Sequence, residues 1–363
     1  MPTFPSLDDL DESLSEMEVP LDVQLVKATV RPVVLFVRQQ VLDDPLPTGV
    51  SKIGGYPDLP ANFTWPERPA YPDAERKVAE LRRGAERMRT MYEGMMREPR
   101  GPHQRQITSE DLDRVTAEYE TRCVALSEPM PLAFVAQLDL AFLIREAGFD
   151  SELPRTGLLS IFNDTTWDGA TGAHWVFWHD QPVAELVRTS PPPRLVAHCE
   201  ALEALMSPSG DVPWSERIMA ERLHPSSRFS VPQHWKSAYP HGTVEADAVY
   251  DWLDCQPGFY PSASDVGADG DVMNFGDKLG GWPEDIQGHP EEEITVEGVR
   301  AKPITQPGQT PWRHLFSYGN EHHGGTRLME SLFEGDGNTY VFLHEDDLRA
   351  RRFERAQTVY QQT

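Results

Sequence analysis

Two stretches of the chain, SKIGGYPDLP from Ser51 and DKLGGWPEDI from Asp277, carry the same run: Lys, an aliphatic residue, Gly-Gly, an aromatic, Pro and an acid. Paired glycines permit positive φ or a close approach of one backbone to another. The proline fixes the direction in which the chain leaves. The segments downstream of the two copies also match in pattern. After the first come the apolar runs LAFVAQLDL (132–140) and GLLSIFND (157–164). After the second come RHLFSYGNE (313–321) and GDGNTYVFLHEDDL (335–348), where GDGN suits a hairpin turn because Gly and Asn tolerate positive φ. A loop that recurs with its strands reads as a folding element rather than as one unique active site. The expected fold class is α+β: an internally duplicated, mostly antiparallel β-sheet body with pseudo-twofold halves.

On this reading residues 1–206 form the first half and 243–363 the second, joined by an irregular connector, 207–242, rich in Pro, Ser and His. VRPVVLFVRQQ (30–40) is a buried strand by its β-branched run. AHWVFWHD (173–180) is an aromatic strand, with His174, Val176 and Trp178 on one face and Trp175, Phe177 and His179 on the other. Leu7, Leu10 and Leu14 predict a short amphipathic helix near the N-terminus.

Residues 73–126 differ in character. Val78, Leu81, Ala85, Met88, Tyr92 and Met95 alternate spacings of three and four, and Lys and Arg crowd the other faces. EPRGPHQRQ interrupts the pattern, and a second helix starts at Thr108 or Ser109 with acids in its first turn. The pattern predicts an inserted helical hairpin, and with it a possible route to homo-oligomers.

The string from Lys52 to Pro66, together with PLAFVAQLDL (131–140), DKLGGWPEDIQG (277–288) and GNTYVFLHEDDL (337–348), resembles the DUF1963, or YwqG-like, family. The resemblance covers about 30–66, 129–180 and 260–355. The long insert at 67–128 departs from it, and so does RHLFSYGNE, where the family strand tends to carry Gln, a hydrophobic residue and an acid. The resemblance implies an α+β fold with a duplicated sheet-rich body. It implies no chemistry, because the family is one of unknown function. Association of some members with bacterial toxin–immunity loci suggests an inhibitor role.

Composition narrows the partners. The net charge of −25 repels nucleic acid and suits a basic protein partner or plain solubility. The 32 prolines and 26 glycines are spread along the chain, which predicts many turns and short strands. Cys123, Cys199 and Cys255 lie far apart with no C-x-x-C, so neither a disulfide framework nor a zinc site is expected. No apolar run approaches the ~18 residues of a membrane span. The first residues lack a basic and then an apolar segment, so a cytoplasmic location without membrane contact is expected.

Catalytic templates such as G-x-S-x-G, H-E-x-x-H and the Walker loop do not occur, which leans away from an enzyme, and no cofactor is expected. Asp265, Asp269 and Asp271, with Asp277, offer oxygen ligands, but Gly276 stands where an EF-hand needs its bidentate Glu, so a plain turn is favoured. If acid–base chemistry exists, His322 or His323 paired with Glu321 or Asp336 would carry it. Lys52, Lys278, Tyr56 and Trp282 are the ligand-binding candidates, each lysine meeting either an acid across the pseudo-twofold or a ligand anion. Trp175, Trp178 and Tyr92 are the partner-binding candidates. The leading expectation is a protein-binding module, an acidic immunity-type inhibitor. The alternative is a small-molecule-binding protein or hydrolase with its site between the halves.

Overall fold

The computed structural model describes residues 2–16, 20–40, 46–97, 107–165, 174–206, 220–254, 273–319 and 337–362. In chain order, β1 (Thr3–Phe4), α1 (Leu7–Glu16), α2 (Val23–Thr29) and β2 (Arg31–Gln40) come first. Next are β3 (Lys52–Gly54), β4 (Asp58–Pro60), β5 (Glu67–Arg68), and the long helices α3 (Ala74–Arg97) and α4 (Ser109–Ser127). Then come β6 (Met130–Pro131), β7 (Ala133–Asp139), α5 (Leu140–Leu143), β8 (Leu158–Asn163), β9 (His174–His179), β10 (Leu186–Arg188) and α6 (Pro193–Met206). The remainder is β11 (Ala220–Ser230), α7 (Val244–Asp254), β12 (Met273–Gly280), β13 (Thr295–Val296), β14 (Val299–Arg300), β15 (Trp312–Gly319), β16 (Gly337–His344), α8 (Glu345–Arg349) and β17 (Gln357–Gln362).

One antiparallel sheet dominates, in the order β17-β16-β15-β12-β2-β11-β3-β7-β8-β9, with β1 added to β11. The fold is α+β with a mostly antiparallel sheet. Each Gly-Gly strand, β3 or β12, opens a four-stranded unit, and β2 and β11 lie between the two units. Local details match as well. Lys52 pairs with Gln137 and Lys278 with Ser317. The register of β7 on β8 shifts between Phe134 and Ala136, and that of β15 on β16 between His314 and Phe316. Each shift bulges out one residue, Val135 or Leu315, and both are buried in the main core.

That core is enclosed by the sheet itself. Val34, Phe36, Ile53, Leu138, Leu159, Val176, Leu279, Phe316, Val341 and Leu343 belong to one cluster. These strands span nearly the whole sheet, so it curls into a nearly closed barrel. Its two ends are tied across the interior by His174 of β9, whose ring nitrogens meet the Tyr318 hydroxyl (2.9 Å) and the Thr358 hydroxyl (3.0 Å). The alternation read from β9 holds: Val176 and Trp178 pack on this core, while Trp175 and Phe177 join Phe134 and Phe162 on the outer face.

The stretch 207–242 is not irregular throughout. Its residues 220–230 form β11, which pairs with β2 over ten residues at the centre of the sheet. Pro225 is tolerated there because β3 pairs only with 220–222 and β1 only with 229–230, leaving one edge of β11 open near Pro225.

The helical hairpin forms as expected. Thr108 caps α4 in a capping box with Asp111. The apolar stripe of α3 packs on α4, and Gly84 leaves room for the Tyr119 ring, 3.2 Å from where its Cβ would stand. Yet α3 has no buried residue. The body holds the hairpin by α4, whose Cys123, Ala125 and Leu126 are buried. Arg68 strengthens that anchorage by donating to the Ala125 carbonyl (2.8 Å) and ion-pairing with Asp164 (2.6 Å). Among the described residues, no helix is long and apolar enough to cross a membrane.

Candidate functional site

The alternation along β3 and β12 sets the chemistry of both lysines. Ile53 and Leu279 point into the barrel, so Lys52 and Lys278 point out of it. Neither reaches solvent, because the chain after each Gly-Gly folds back over that face. Two strands separate β3 from β12, which puts the lysines at least about 14 Å apart. They therefore do not pair across the two units.

Lys52 meets the acid of its own motif. Its Nζ lies 3.2 Å from Asp58 Oδ2. The same oxygen accepts from the Gly49 amide (2.9 Å) and from Gln137 Nε2 (2.8 Å). Arg188 Nε donates to Asp58 Oδ1 (2.6 Å), and the Asp58 amide donates to Gln137 Oε1 (2.9 Å). Burial disfavours the Asp58 carboxylate, but Arg188, Lys52, Gly49 and Gln137 together hold its pKa below the usual range. Burial draws Lys52 down to about 8, with Asp58 opposing and Arg188 assisting. The whole arrangement closes the loop onto the sheet.

Lys278 sits in the field of Glu284, Asp285 and Glu291, and burial draws it to about 8 as well. Glu284 comes after Lys278 by the same six positions that separate Asp58 from Lys52. The Gln137 position is taken by Ser317, whose hydroxyl donates to the Gly276 carbonyl (2.6 Å). The departure of RHLFSYGNE from the family pattern is thus a lost amide clamp. Beside it, His314 Nδ1 donates to the Gly280 carbonyl (2.7 Å), and burial together with Lys278 keeps its ring neutral well below the usual pH.

The glycines are required by geometry. Gly54, Gly55, Gly280 and Gly281 all have positive φ, between 66° and 73°. A Cβ on Gly55 would stand 2.7 Å from that of Ala220, and one on Gly281 would stand 2.7 Å from that of Val33. Each Gly-Gly loop thus lies against one of the two central strands.

The aromatics of the two motifs do different work. Tyr56 packs with Ala133, Leu195 and Leu202. Trp282 is buried, donates from Nε1 to the Thr29 carbonyl (2.7 Å), and carries the Arg31 guanidinium 3.4 Å above its ring centroid. Trp282 also lines a cleft of about 390 Å³, together with Ala28 to Pro32, Asp150 to Glu152, Gly308 and Arg313. Its walls come from both of the sequence halves. Arg31 and Arg313 lie in runs that read only as strands, VRPVVLFVRQQ and RHLFSYGNE, and Asp150 carries no motif; the signal available in sequence is a basic residue at the start of a buried strand. Trp178 is fixed by donation to the Thr156 carbonyl (2.9 Å), Trp175 packs in the outer cluster, and Tyr92 lies half-buried on α3. Burial pulls His179 down to about 4. Cys123 and Cys199 are buried free thiols.

His322, His323, Glu321, Asp336, Asp265, Asp269, Asp271 and Cys255 lie outside the described residues. Among the described residues, no three His, Cys, Asp or Glu side chains are placed to hold a metal ion. The remaining aspartate of that loop, Asp277, is fully buried and receives a fork of hydrogen bonds from Arg38, Nη2 at 2.6 Å from Oδ1.

A family model for a domain of unknown function, DUF1963, matches residues 51–361. The chain belongs to the DUF1963 family. No curated protein matches it. The DUF1963 match takes in both Gly-Gly motifs, Gln137 and Arg188. The first five residues of the Trp282 cleft wall (Ala28 to Pro32), the strand β2 and the helix α1 precede it.

Proposed function

We propose that the protein is a binding module for a basic protein partner, docked on an acidic layer made by α1 and α7. One observation carries this reading. Helix α1 holds Asp8, Asp9, Asp11, Glu12 and Glu16, and α7 holds Glu245, Asp247, Asp251 and Asp254, with no basic residue on either helix. Both helices bury their apolar sides in the same cluster, Leu10 and Leu14 beside Val249, Trp252 and Leu253. The acids are left to the outside. Lys27 pairs with Asp11 and Lys236 with Asp254, and seven of the nine carboxylates are exposed. With a chain charge of −25, such a layer steers a cationic protein toward it and loses grip as salt rises. An acidic inhibitor of a basic toxin is the specific form proposed.

The test compares two baits in one lysate at low and high ionic strength: the native chain, and a chain with Asp8, Glu12, Asp247 and Asp251 changed to Lys. A stoichiometric basic protein held only by the native chain, and only at low salt, supports the reading. Identical retention by both baits, or no stoichiometric protein on either, refutes it.

A second reading, small-molecule binding at a site between the sequence halves, is favoured by the Trp282 cleft. We also propose that the two matching four-stranded units descend from one duplicated segment. The shared bulge positions and Lys–Gly–Gly strands support that history.

A further inference from the structure

The two arginines of the Trp282 cleft are not equivalent. Arg313 is satisfied, because it ion-pairs with Asp150 and also reaches Glu152 Oε2 at 3.4 Å. Arg31 is not. Among the described residues no carboxylate or carbonyl accepts from its guanidinium, and its Nη1 is closed off from solvent with no acceptor at all. A guanidinium left without an acceptor in such a place is costly unless something pairs with it. Its mounting is nonetheless rigid. It rests 3.4 Å over a Trp282 ring that is only 1% exposed and is held from both ends, by Nε1 to Thr29 and by its amide to Ser230 Oγ (3.1 Å). A cation held this way has little freedom left to lose on binding a ligand.

The geometry points to a recognition site for the carboxylate of a small acidic molecule, gripped by the Nε–Nη2 edge of Arg31, the edge that is not closed off, with Arg313 as its second positive neighbour. The inference rests on the small-molecule reading of this cleft, which it deepens, and is independent of the protein-binding reading. The planar guanidinium fork matches a carboxylate in two parallel hydrogen bonds. Asp150 and Glu152 line the same cleft, so a doubly charged phosphate meets more repulsion there than a singly charged carboxylate does. A space of about 390 Å³ lies at the small end of ligand sites and suits a compact organic acid. Burial, helped by Arg313, has drawn the Arg31 pKa to about 9 against the opposing pull of Glu291, Asp150 and Glu152, and an anion bound directly to the guanidinium would relieve that strain.

The experiment titrates the full chain with acetate, benzoate or inorganic phosphate at matched ionic strength. It tracks the arginine side-chain N–H resonances and the thermal midpoint. A carboxylate is expected to move one arginine resonance and raise the midpoint. Arg31→Gln weakens that binding by at least about tenfold, the loss of a charge-assisted pair. Arg83→Gln, on the exposed face of α3, leaves it unchanged. Arg31→Lys keeps the charge without the fork and weakens binding too, which serves if the Gln variant does not fold. The proposal is overturned if no carboxylate binds, if phosphate binds more tightly than the carboxylates, or if either Arg31 variant binds as the native chain does.

Discussion

Lys52 and Asp58 stand six positions apart in the chain and 3.2 Å apart in space, and solvent reaches neither. The lysine of the motif is spent on the acid of the same motif. The pair fastens the Gly-Gly loop to the sheet, and Gln137 and Arg188 complete the fastening from β7 and β10.

Removing the two partners should have unequal effects. Asp58→Ala leaves Lys52 and Arg188 facing each other in a buried site, and a loss of about 3–5 kcal/mol is expected. Lys52→Met leaves Asp58 with Arg188, Gln137 and Gly49, so the loss should be smaller. Denaturant unfolding of the two single variants and the double variant measures both losses and their coupling. Equal single losses would refute the expected inequality, and a double-variant loss equal to the sum of the two would show that Lys52 does not depend on Asp58.

Lys278 predicts a pH dependence. Its pKa in the folded chain is about 8, drawn down by burial, against an ordinary 10.5. Between those values the unfolded chain binds more protons, so this group makes stability rise with pH. Lys278→Met removes the contribution. The variant should be more stable than the native chain at pH 8, by an amount on the order of 3 kcal/mol for two pKa steps. The gap should narrow by pH 10, before Tyr340, held well above its usual pKa by burial, begins to lower stability. Thermal midpoints at several pH values read this directly, and a gap that stays constant speaks against it.

The two Gly-Gly loops make a steric prediction. Gly281→Ala places a methyl 2.7 Å from Val33 Cβ and 2.8 Å from Ser230 Oγ, at a φ of +71°. Gly242 has a similar φ of +79° but open space around it. Alanine at 242 therefore shows only the left-handed backbone penalty of about 1–2 kcal/mol. Alanine at 281 should lose clearly more in the same unfolding assay, because Val33 lies on a central strand that cannot step aside.

Helix α3 should open before the body does. It has no buried residue and packs chiefly on α4, whereas β2 and β7 lie mid-sheet. Native-state amide exchange should give α3 an opening free energy well below the global value, with β2 and β7 near it. Equal protection in helix and strands would mean that the hairpin is part of the cooperative core.

Periodicity carried much of this fold in plain sight. The faces of β9, the α3 stripe and the strands that follow each Gly-Gly motif can be read from spacing alone. The partner of each lysine could not. Asp58 was visible six residues on, but only the fold-back of the loop brings it to Lys52 rather than across the sheet. β11 was hidden by Pro225 and by its serines, since a polar, proline-bearing run reads as loop until its neighbours are known. Arg31 was invisible as a recognition group for a related reason: its distinction is a missing acceptor, and a sequence does not show what a side chain lacks.

The central position of β11 has a consequence for how the protein is made. Roughly 180 residues separate Gln40 from Ala220, which are the near ends of two adjacent strands. At about 5–20 residues per second, β2 waits on the order of 10–40 s after its own synthesis for its long partner to leave the ribosome. Once β9 has been made, the first unit, β3 with β7 to β9, has an open seam where β11 belongs for the roughly 50 residues, about 3–10 s, that remain before Ser230. A cell making this chain must guard that seam until translation passes Ser230.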